Sequence, residues 1–431
     1  MVIASLLLVV LALMGVPLFI VILASAMLGF MASEVDLTVI AIEFYRIVDT
    51  PALLSIPLFT LAGYILSESN ASQRMVRLIE ALFGWMPGGL AIVALIACAF
   101  FTALTGASGV TIVALGGLIY PALKQAGYSE RFSLGLITSS GSLGLLFPPS
   151  IALILYGIIA QQLQVSEPVL IDDLFLAGLL PGVLMLTLLA TWSMWIHNRQ
   201  VVNNQSANKK VVNVKEIISA TRHAIWEIPL PFVILGGIFS GVFAISEAAA
   251  VAAVYVLIVE VFIYRDIAIK QLPWIMRESM ILVGAIVVIL GASLASTNYL
   301  IDAEVPTRLF ETIREHIDSK ITFLLILNVF LLVLGTMLDI FSALVIMVPI
   351  LLPVAVGYGI HPIHLGIIFL ANMQIGYFTP PVGMNLFIAS HRFKKPITEL
   401  YLSTLPYMVI LLVAVIIITY WPTLSLYLIT H

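Results

Sequence analysis

Long apolar stretches follow one another along almost all of this sequence, and short polar segments separate them. A bilayer core of about 30 Å requires about 20 apolar residues in each crossing helix. Uncharged stretches of at least that length recur, from residues 1–31 at one end to residues 400–429 at the other. The pattern therefore predicts an all-α polytopic membrane protein.

A single long polar segment, residues 197–223, divides the apolar sequence into two halves. The segment is basic, and basic residues near membrane helices mark the cytoplasmic side. We predict a first half over residues 1–199, a cytoplasmic linker over residues 200–226 and a second half over residues 227–431. Each half contains enough apolar sequence for about five crossing helices and one further hairpin.

The two halves share a spacing of proline and glycine, and their equivalent loops differ in charge. Basic loops of one half match loops without basic residues in the other, which predicts inverted repeats of the kind found in secondary transporters. Independent proline kinks, which are common in membrane helices, are the alternative explanation. The recurring positions, all at an offset of 232 residues, are Pro121, Gly127, Pro148 and Pro149, matched by Pro353, Gly359, Pro380 and Pro381.

Each half also contains an apolar stretch whose two ends face the same side of the membrane, at residues 90–124 and 321–356. Each stretch must enter and return, so we predict two re-entrant hairpins with tips at residues 105–111 and 335–342. Non-helical backbone at that depth is tolerated only where it is buried in protein or lines a cavity. We therefore expect the two tips to meet near the middle of the membrane.

Downstream of each hairpin, a proline pair should break a crossing helix, at residues 131–160 and 363–390. Residues 70–88 and 304–319 have the pattern of amphipathic arms that lie along the two membrane surfaces, although solvated loops would show similar polarity.

Composition removes several other classes of protein. The chain is 61% hydrophobic and 10% charged, against roughly 25% charged residues in soluble domains. A net charge of -4 leaves no basic face for nucleic acid, and the one cysteine, Cys98, permits neither a disulfide framework nor a cysteine metal cluster. The histidines fall in predicted loops or at ends, without a buried serine beside them, so we expect no enzyme. His361 and His364 are interpreted as a solvated loop pair.

The chemistry that remains is ion and anion binding. A sodium ion requires a shell of oxygens, which unwound carbonyls and hydroxyls supply, and half-helix N-termini attract an anion. We expect two or more sodium ions and no organic cofactor, although membrane hydroxyls often bond only their own helix. The predicted sodium ligands are Thr105, Gly106, Ser108, Gly109, Ser139, Ser140, Gly335, Thr336, Asp339, Gly376 and Thr379. The predicted substrate contacts are Ser142, Pro148, Pro149, Ser150, Pro380, Pro381 and Asn385.

Asp339 is the most informative of these residues, because its hairpin contains no Lys or Arg. An ionised carboxylate at the bilayer centre costs at least about 2.5 kcal/mol and is rarely kept without a partner. We expect that partner to be a sodium ion or a proton, with a neutral structural carboxyl as the alternative. Glu247, in the segment AISEAAAV, is an ion ligand or, more in keeping with its place at a helix break, a scaffold contact.

The sequence resembles the large membrane subunit of tripartite ATP-independent periplasmic (TRAP) transporters along essentially its whole length. The resemblance implies an elevator-type sodium symporter, multi-pass in the bacterial inner membrane, that accepts a small organic acid from a periplasmic binding protein. It also implies a small four-helix membrane subunit as a separate chain. AISEAAAV departs from the family, where threonine-proline commonly precedes the Ser or Thr and Glu, so the role of Glu247 stays open. The segments that carry the resemblance are SIPLFTLAGYILSES (55–69), GASGVTIVALGGLIYPAL (106–123), GYSERFSLGLITSSGSLGLLFPPS (127–150), SEAAAVAAVY (246–255) and FTPPVGMNLF (378–387).

Two other functions compete with this interpretation. A channel would have a continuous pore lining and would need neither inverted hairpins nor a binding protein. A stand-alone sodium/dicarboxylate symporter would share the hairpin arrangement without the partners. The sequence does not identify the substrate: sialic acid, which the overall resemblance slightly favours, and a C4-dicarboxylate both remain open.

Overall fold

The structure is a computed structural model that describes residues 8, 10–11, 14–48, 50–163, 167–200 and 213–429. Every regular element in these ranges is helical, and the predicted all-α fold is confirmed. Seven helices in the described part are long and apolar enough to cross a membrane, and an eighth span results if one helix pair bent by 41° is counted. That pair is Glu130–Leu146 with Ile151–Gln162.

The first half of the chain contains nine labelled helices. Short 3-10 turns at Pro51–Leu54 and Leu143–Leu146 supplement them. The helices are α1 (Leu18–Ala32), α2 (Thr38–Val48), α3 (Ser55–Glu68), α4 (Ala71–Phe83), α5 (Gly89–Thr105), α6 (Ser108–Gln125), α7 (Glu130–Ser140), α8 (Ile151–Gln162) and α9 (Ile171–Gln200).

The remainder of the described chain is also helical and begins with one helix inside the predicted linker, of which residues 201–212 lie outside the described residues. A π-helical turn, Ile258–Ile263, extends α12 at its C-terminal end. The helices are α10 (Val214–His223), α11 (Pro229–Phe239), α12 (Ile245–Leu257), α13 (Leu272–Asp302), α14 (Val305–His316), α15 (Lys320–Met337), α16 (Ile340–Gly357), α17 (Pro362–Gly376), α18 (Met384–Phe393), α19 (Ile397–Tyr420) and α20 (Thr423–Leu426).

Helix ends in the two halves correspond at the same offset of 232 residues as the prolines. The break between α5 and α6 lies between Thr105 and Ser108, and the break between α15 and α16 lies between Met337 and Ile340. The peptide bonds Pro148–Pro149 and Pro380–Pro381, also equivalent at this offset, are both cis. The opposite orientation of the two halves in the membrane stays a prediction.

Glycine accounts for the break at the first tip. Gly106 has a φ of +68°, a conformation that L side chains rarely adopt, and a Cβ built there would lie 2.5 Å from Cδ1 of Ile151. Ala107 is extended, with φ -127° and ψ 109°, before α6 begins. The chain therefore leaves one helix and enters the next within two residues, while it remains packed against α8.

The segments predicted as surface arms contain the helices α4 and α14. Arg74 of α4 holds three carboxylates: it pairs with Glu260 at 2.8 Å, with Asp266 at 2.5 Å, and with Glu227. Its guanidinium also lies 3.9 Å from the ring centre of Tyr264. This cluster, called the Arg74 cluster below, joins α4 to the start of α11 and the end of α12.

Two interpretations made from the sequence can be compared directly with the fold. His364 was expected in a solvated loop, and that expectation is wrong: its side chain is buried in α17 and contacts the Ser425 hydroxyl and the Thr419 carbonyl. The reason is that α17 begins at Pro362, so His364 belongs to the helix rather than to the loop before it, and its side chain is packed inside the protein. Glu247 accepts a hydrogen bond from the N–H of Ala244 at 2.9 Å, the contact of an N-terminal helix cap. Much of the predicted first crossing within residues 1–31 lies outside the described residues.

Candidate functional site

Both predicted hairpin tips line one cavity of about 810 Å³, called the main cavity below. Residues 106–110 and 113–114 contribute from the first hairpin, and residues 339–341 contribute from the second. Helices α3 and α13 form the opposite wall. The structure therefore brings the two breaks, more than 200 residues apart in sequence, to one place.

The first tip is tied directly to the second half of the chain. Ser108, the first residue of α6, donates its hydroxyl to Oδ1 of Asn385 at 2.8 Å, and both side chains are buried. Asn385 donates in turn to the carbonyl of Thr138 at 3.4 Å. Asn385 thus joins the tip of one half to the broken helix of the same half, although it lies in α18.

The second tip is organised by Asp339. Its carboxylate caps α16 by accepting hydrogen bonds from the N–H groups of Phe341 and Ser342, each at 3.0 Å, and it also accepts the Ser342 hydroxyl. Asp339 is half-buried and lines the main cavity. The positive end of α16 thus supplies donors that the sequence pattern did not reveal, and a sodium ion or a proton as the further partner of Asp339 stays a prediction.

Close backbone packing holds the second tip against the second broken helix. A Cβ built at Gly376 would lie 2.6 Å from Cα of Gly335, so only glycine permits this approach. The N–H of Gly383 donates to the carbonyl of Thr336 at 3.0 Å, and the Tyr377 hydroxyl accepts the N–H of Ile340. Carbonyl and hydroxyl oxygens thus surround the tip.

Several predicted sodium ligands bond carbonyls of their own helix in this structure. Ser139 donates to Gly135 at 2.7 Å, Thr336 to Val333 at 2.8 Å and Thr379 to Ile375 at 2.8 Å. Ser140 does the same with Ile137. A hydroxyl that donates its hydrogen in this way still has lone pairs on its oxygen with which to bind a cation. None of these four residues, however, lines the main cavity. Of the predicted sodium ligands, the main cavity is lined by Gly106, Ser108, Gly109 and Asp339.

None of the predicted substrate contacts lines the main cavity. Pro148 and Pro149 line a separate apolar pocket of about 230 Å³, and the buried hydroxyl of Ser150 has no hydrogen-bond partner among the described residues. Ser142 donates to the carbonyl of Gln374 at 2.9 Å, at the interface of the two halves. Pro381 accepts the Tyr401 hydroxyl, and Pro380 is half-buried beside it. Among these predicted contacts, Asn385 reaches the first tip, through its hydrogen bond with Ser108.

Two charged residues of the main cavity were not predicted from the sequence as site residues. Arg392, at the end of α18, and Glu68, at the end of α3, both line it together with Tyr377. Arg392 lies in the basic segment 391–395, whose charge in the sequence indicates only the cytoplasmic side. Its spacing of four residues from Ile388 could have placed both side chains on one helix face.

The chemistry of the cavity is that of reversible binding. Two helix N-termini, those of α6 and α16, border it, and one guanidinium and two carboxylates lie on its wall. Within the described residues, no group of three or more His, Cys, Asp or Glu could hold a metal ion in the manner of a zinc site. The sodium sites expected from the sequence stay a prediction.

Comparison with known proteins gives consistent results. Residues 5–424 match the family described as Tripartite ATP-independent periplasmic transporter, DctM component. The C4-dicarboxylate TRAP transporter large permease protein DctM of Rhodobacter capsulatus is 34% identical over 406 residues, which cover 92% of this chain and 91% of that protein. Its namesake from Pseudomonas aeruginosa is 36% identical over 387 residues, which cover 90% of this chain and 88% of that protein.

One solved structure also shares the fold. The Alcanivorax borkumensis YdaH transporter superposes with a TM-score of 0.65 over 91% of this chain and 89% of that chain, at 14% sequence identity. At this level of identity the likeness concerns the fold alone.

Proposed function

This chain belongs to the DctM component family of TRAP transporters, and we propose that it imports a small organic acid by coupling to a sodium gradient. It is a large transmembrane permease subunit rather than an enzyme, and a multi-pass protein of the inner membrane. The observation that carries the proposal is the convergence of both hairpin tips on the main cavity.

Sodium coupling is supported by the oxygen-rich surroundings of the two tips. Each tip combines non-helical backbone next to a helix N-terminus with a hydroxyl or carboxylate, at Ser108 in one half and at Asp339 in the other. Such breaks in membrane helices coordinate ions and anions in secondary transporters. We propose two or more sodium sites that draw on these breaks and their downstream partners.

The substrate we propose is an organic anion of the C4-dicarboxylate class. Relatives named for C4-dicarboxylates are 34% and 36% identical to this chain. Arg392 on the cavity wall provides a cation for a carboxylate. Sialic acid stays open as a second substrate to be tested.

Two partner proteins complete the proposed system. A periplasmic binding protein delivers the substrate, and a small four-helix membrane subunit adds scaffold surface.

We further propose an elevator motion in which the hairpins and broken helices move against α4 and α14. The Arg74 cluster supports this division, because it fixes α4 to the start of α11 and the end of α12.

Reconstitution with defined components tests the function. Proteoliposomes that contain this chain and its small subunit should take up radiolabelled succinate only when the binding protein and an inward sodium gradient are both present. Uptake should depend on sodium concentration with a Hill coefficient above one. Equal uptake with potassium would disprove sodium coupling, and equal uptake without the binding protein would favour a stand-alone symporter.

A further inference from the structure

Arg392 occupies the border between two cavities. It lines the main cavity, and with His391 and Lys394 it also lines a recess of about 580 Å³, called the side recess below. Val113 and Ile388 are likewise shared by the two cavities. This guanidinium therefore lies where the two cavities adjoin.

The position of Arg392 relative to the first tip follows from the packing of α18 along α6. A Cβ built at Gly109 would lie 2.5 Å from Cδ1 of Ile388, and a Cβ built at Gly117 would lie 2.1 Å from Nη2 of Arg392. Eight residues of helix span about 12 Å, which separates the guanidinium from the tip. The guanidinium is therefore a point of contact in the main cavity that is distinct from the tip.

The guanidinium is seated on bare backbone. Because Gly117 has no side chain, Nη2 of Arg392 rests close to the surface of α6 at this point. A Cβ at position 117 would require the guanidinium to shift away from this place. Gly117 thus allows the charge to lie against the helix.

Arg392 also lacks an anionic partner within the part of the chain that the structure describes: no carboxylate lies within ion-pair distance of it. The nearby Glu130 is already engaged by Lys395, by Lys124 at 3.5 Å and by the Tyr120 hydroxyl at 2.9 Å. An arginine fork binds a carboxylate through two parallel hydrogen bonds. This exposed guanidinium is therefore available for an anion in the cavity.

We propose that Arg392, held over Gly117, forms a second carboxylate-binding point, where the substrate anion rests on its way between the hairpin tips and the side recess. The proposal rests on the transport function proposed above and adds a residue and a subsite to it. A basic residue that serves only to orient the protein in the membrane would behave differently, because its effect would not depend on guanidinium geometry or on position 117.

Equilibrium binding to the purified complex of this chain with its small subunit tests the proposal. The probes are radiolabelled succinate and N-acetylneuraminate at saturating sodium, measured by scintillation proximity. Arg392→Gln should weaken binding of whichever probe the wild-type complex binds by about 10-fold or more, since it removes a charge-assisted contact. Arg131→Gln is the matched control, because it removes a basic residue on the same predicted side that does not line the cavity.

Two further variants separate direct contact from the general electric field. Arg392→Lys keeps the charge but loses the fork, so it should recover only part of the affinity. Gly117→Ala should weaken binding although no charge changes. Melting temperature and gel-filtration profile show which variants are folded, and the lysine and glycine-site variants test the proposal if Arg392→Gln does not fold.

The outcomes are distinct. Affinity within twofold of wild type in both Arg392→Gln and Gly117→Ala would overturn the proposal while the transport function stands. Full recovery in Arg392→Lys would also overturn it, because charge alone would then suffice. If the wild-type complex binds neither probe, the proposed substrate class is wrong, and the subsite inferred from it falls too.

Discussion

Ser142 and Gln374 lie 232 positions apart and are joined by a hydrogen bond of 2.9 Å from the Ser142 hydroxyl to the backbone carbonyl of Gln374. This separation is the same offset that relates the prolines and the helix ends of the two halves. A residue that touches its own counterpart lies near the axis that relates two repeats. Both side chains are fully buried, so the two halves meet here through their broken helices.

We predict that the contact between Ser108 and Asn385 couples the two halves energetically. Ser108→Ala leaves Oδ1 of the buried Asn385 without its donor, so it should destabilise the protein by about 1 kcal/mol or somewhat more. A double-mutant cycle with Asn385→Ala should give a coupling energy of about 0.5–3 kcal/mol. Unfolding of the purified protein, followed by intrinsic fluorescence, provides the measurement. Ser240→Ala, which removes a hydroxyl that bonds its own helix at an exposed site, should have little effect, and an additive cycle would contradict the prediction.

A second prediction separates the two roles of Asp339. Asparagine also caps helices, so Asp339→Asn should keep the fold while it removes the negative charge. The half-saturating sodium concentration for transport should rise, and substrate affinity at low sodium should fall by the same coupling factor. Asp339→Ala should in addition cost about 0.5–2 kcal/mol through loss of the cap. Asn213→Ala, which removes the cap of α10, is the stability control and should leave sodium dependence unchanged. Wild-type sodium dependence in a folded Asp339→Asn variant would show that Asp339 is only a cap.

The Arg74 cluster should be a main source of stability at the surface arm. Arg74→Ala leaves three largely buried carboxylates without their cation and should destabilise the protein by about 3–5 kcal/mol. Gln73→Ala, at an exposed position on the same helix and outside the Arg74 cluster, is the comparison variant. Thermal unfolding of both in detergent provides the measurement, and a loss below 1 kcal/mol for Arg74→Ala would contradict the prediction.

The Arg74 cluster also predicts a pH dependence. Burial opposes ionisation of Asp266, but hydrogen bonds from Arg74 and Asn70 outweigh burial and lower the pKa of Asp266 below its usual value. A carboxyl with a lowered folded-state pKa stabilises the protein above its unfolded pKa of about 4, and this contribution is lost as the pH falls further. We therefore expect the stability difference between wild type and Asp266→Asn to be constant near neutrality and to shrink below about pH 4. A difference that grows on acidification would contradict this.

Membrane orientation gives the last prediction. Cys98 is the only cysteine and is buried, so replacing it with alanine provides a background for labelling. Residues 161–173 contain no Lys or Arg and are predicted on the outer side, whereas the linker is predicted in the cytoplasm. An impermeant maleimide should therefore label Leu170→Cys in intact cells, and Lys215→Cys only after the membrane is permeabilised. Leu170 is 49% exposed, and Lys215 is also exposed, so accessibility does not limit either reaction. The reverse pattern would invert the proposed orientation of both halves.

The sequence by itself determined the kind of fold and the places where helices break. Apolar stretches of crossing length require helices, because lipid offers no hydrogen bonds to the backbone. Gly106, the proline pairs and the offset between them marked the breaks that the structure contains. These signals are local, so a single sequence carries them.

Only the tertiary structure decided which side chains form the site. Ser108 meets Asn385 across 277 residues, and Arg392 reaches the main cavity because α18 packs along the glycines of α6. Asp339 proved to be a capping residue, and most of the predicted hydroxyls bond their own helices. A helix presents each side chain in a direction set by its rotation against distant neighbours, and that rotation follows from packing between residues far apart in sequence rather than from local pattern.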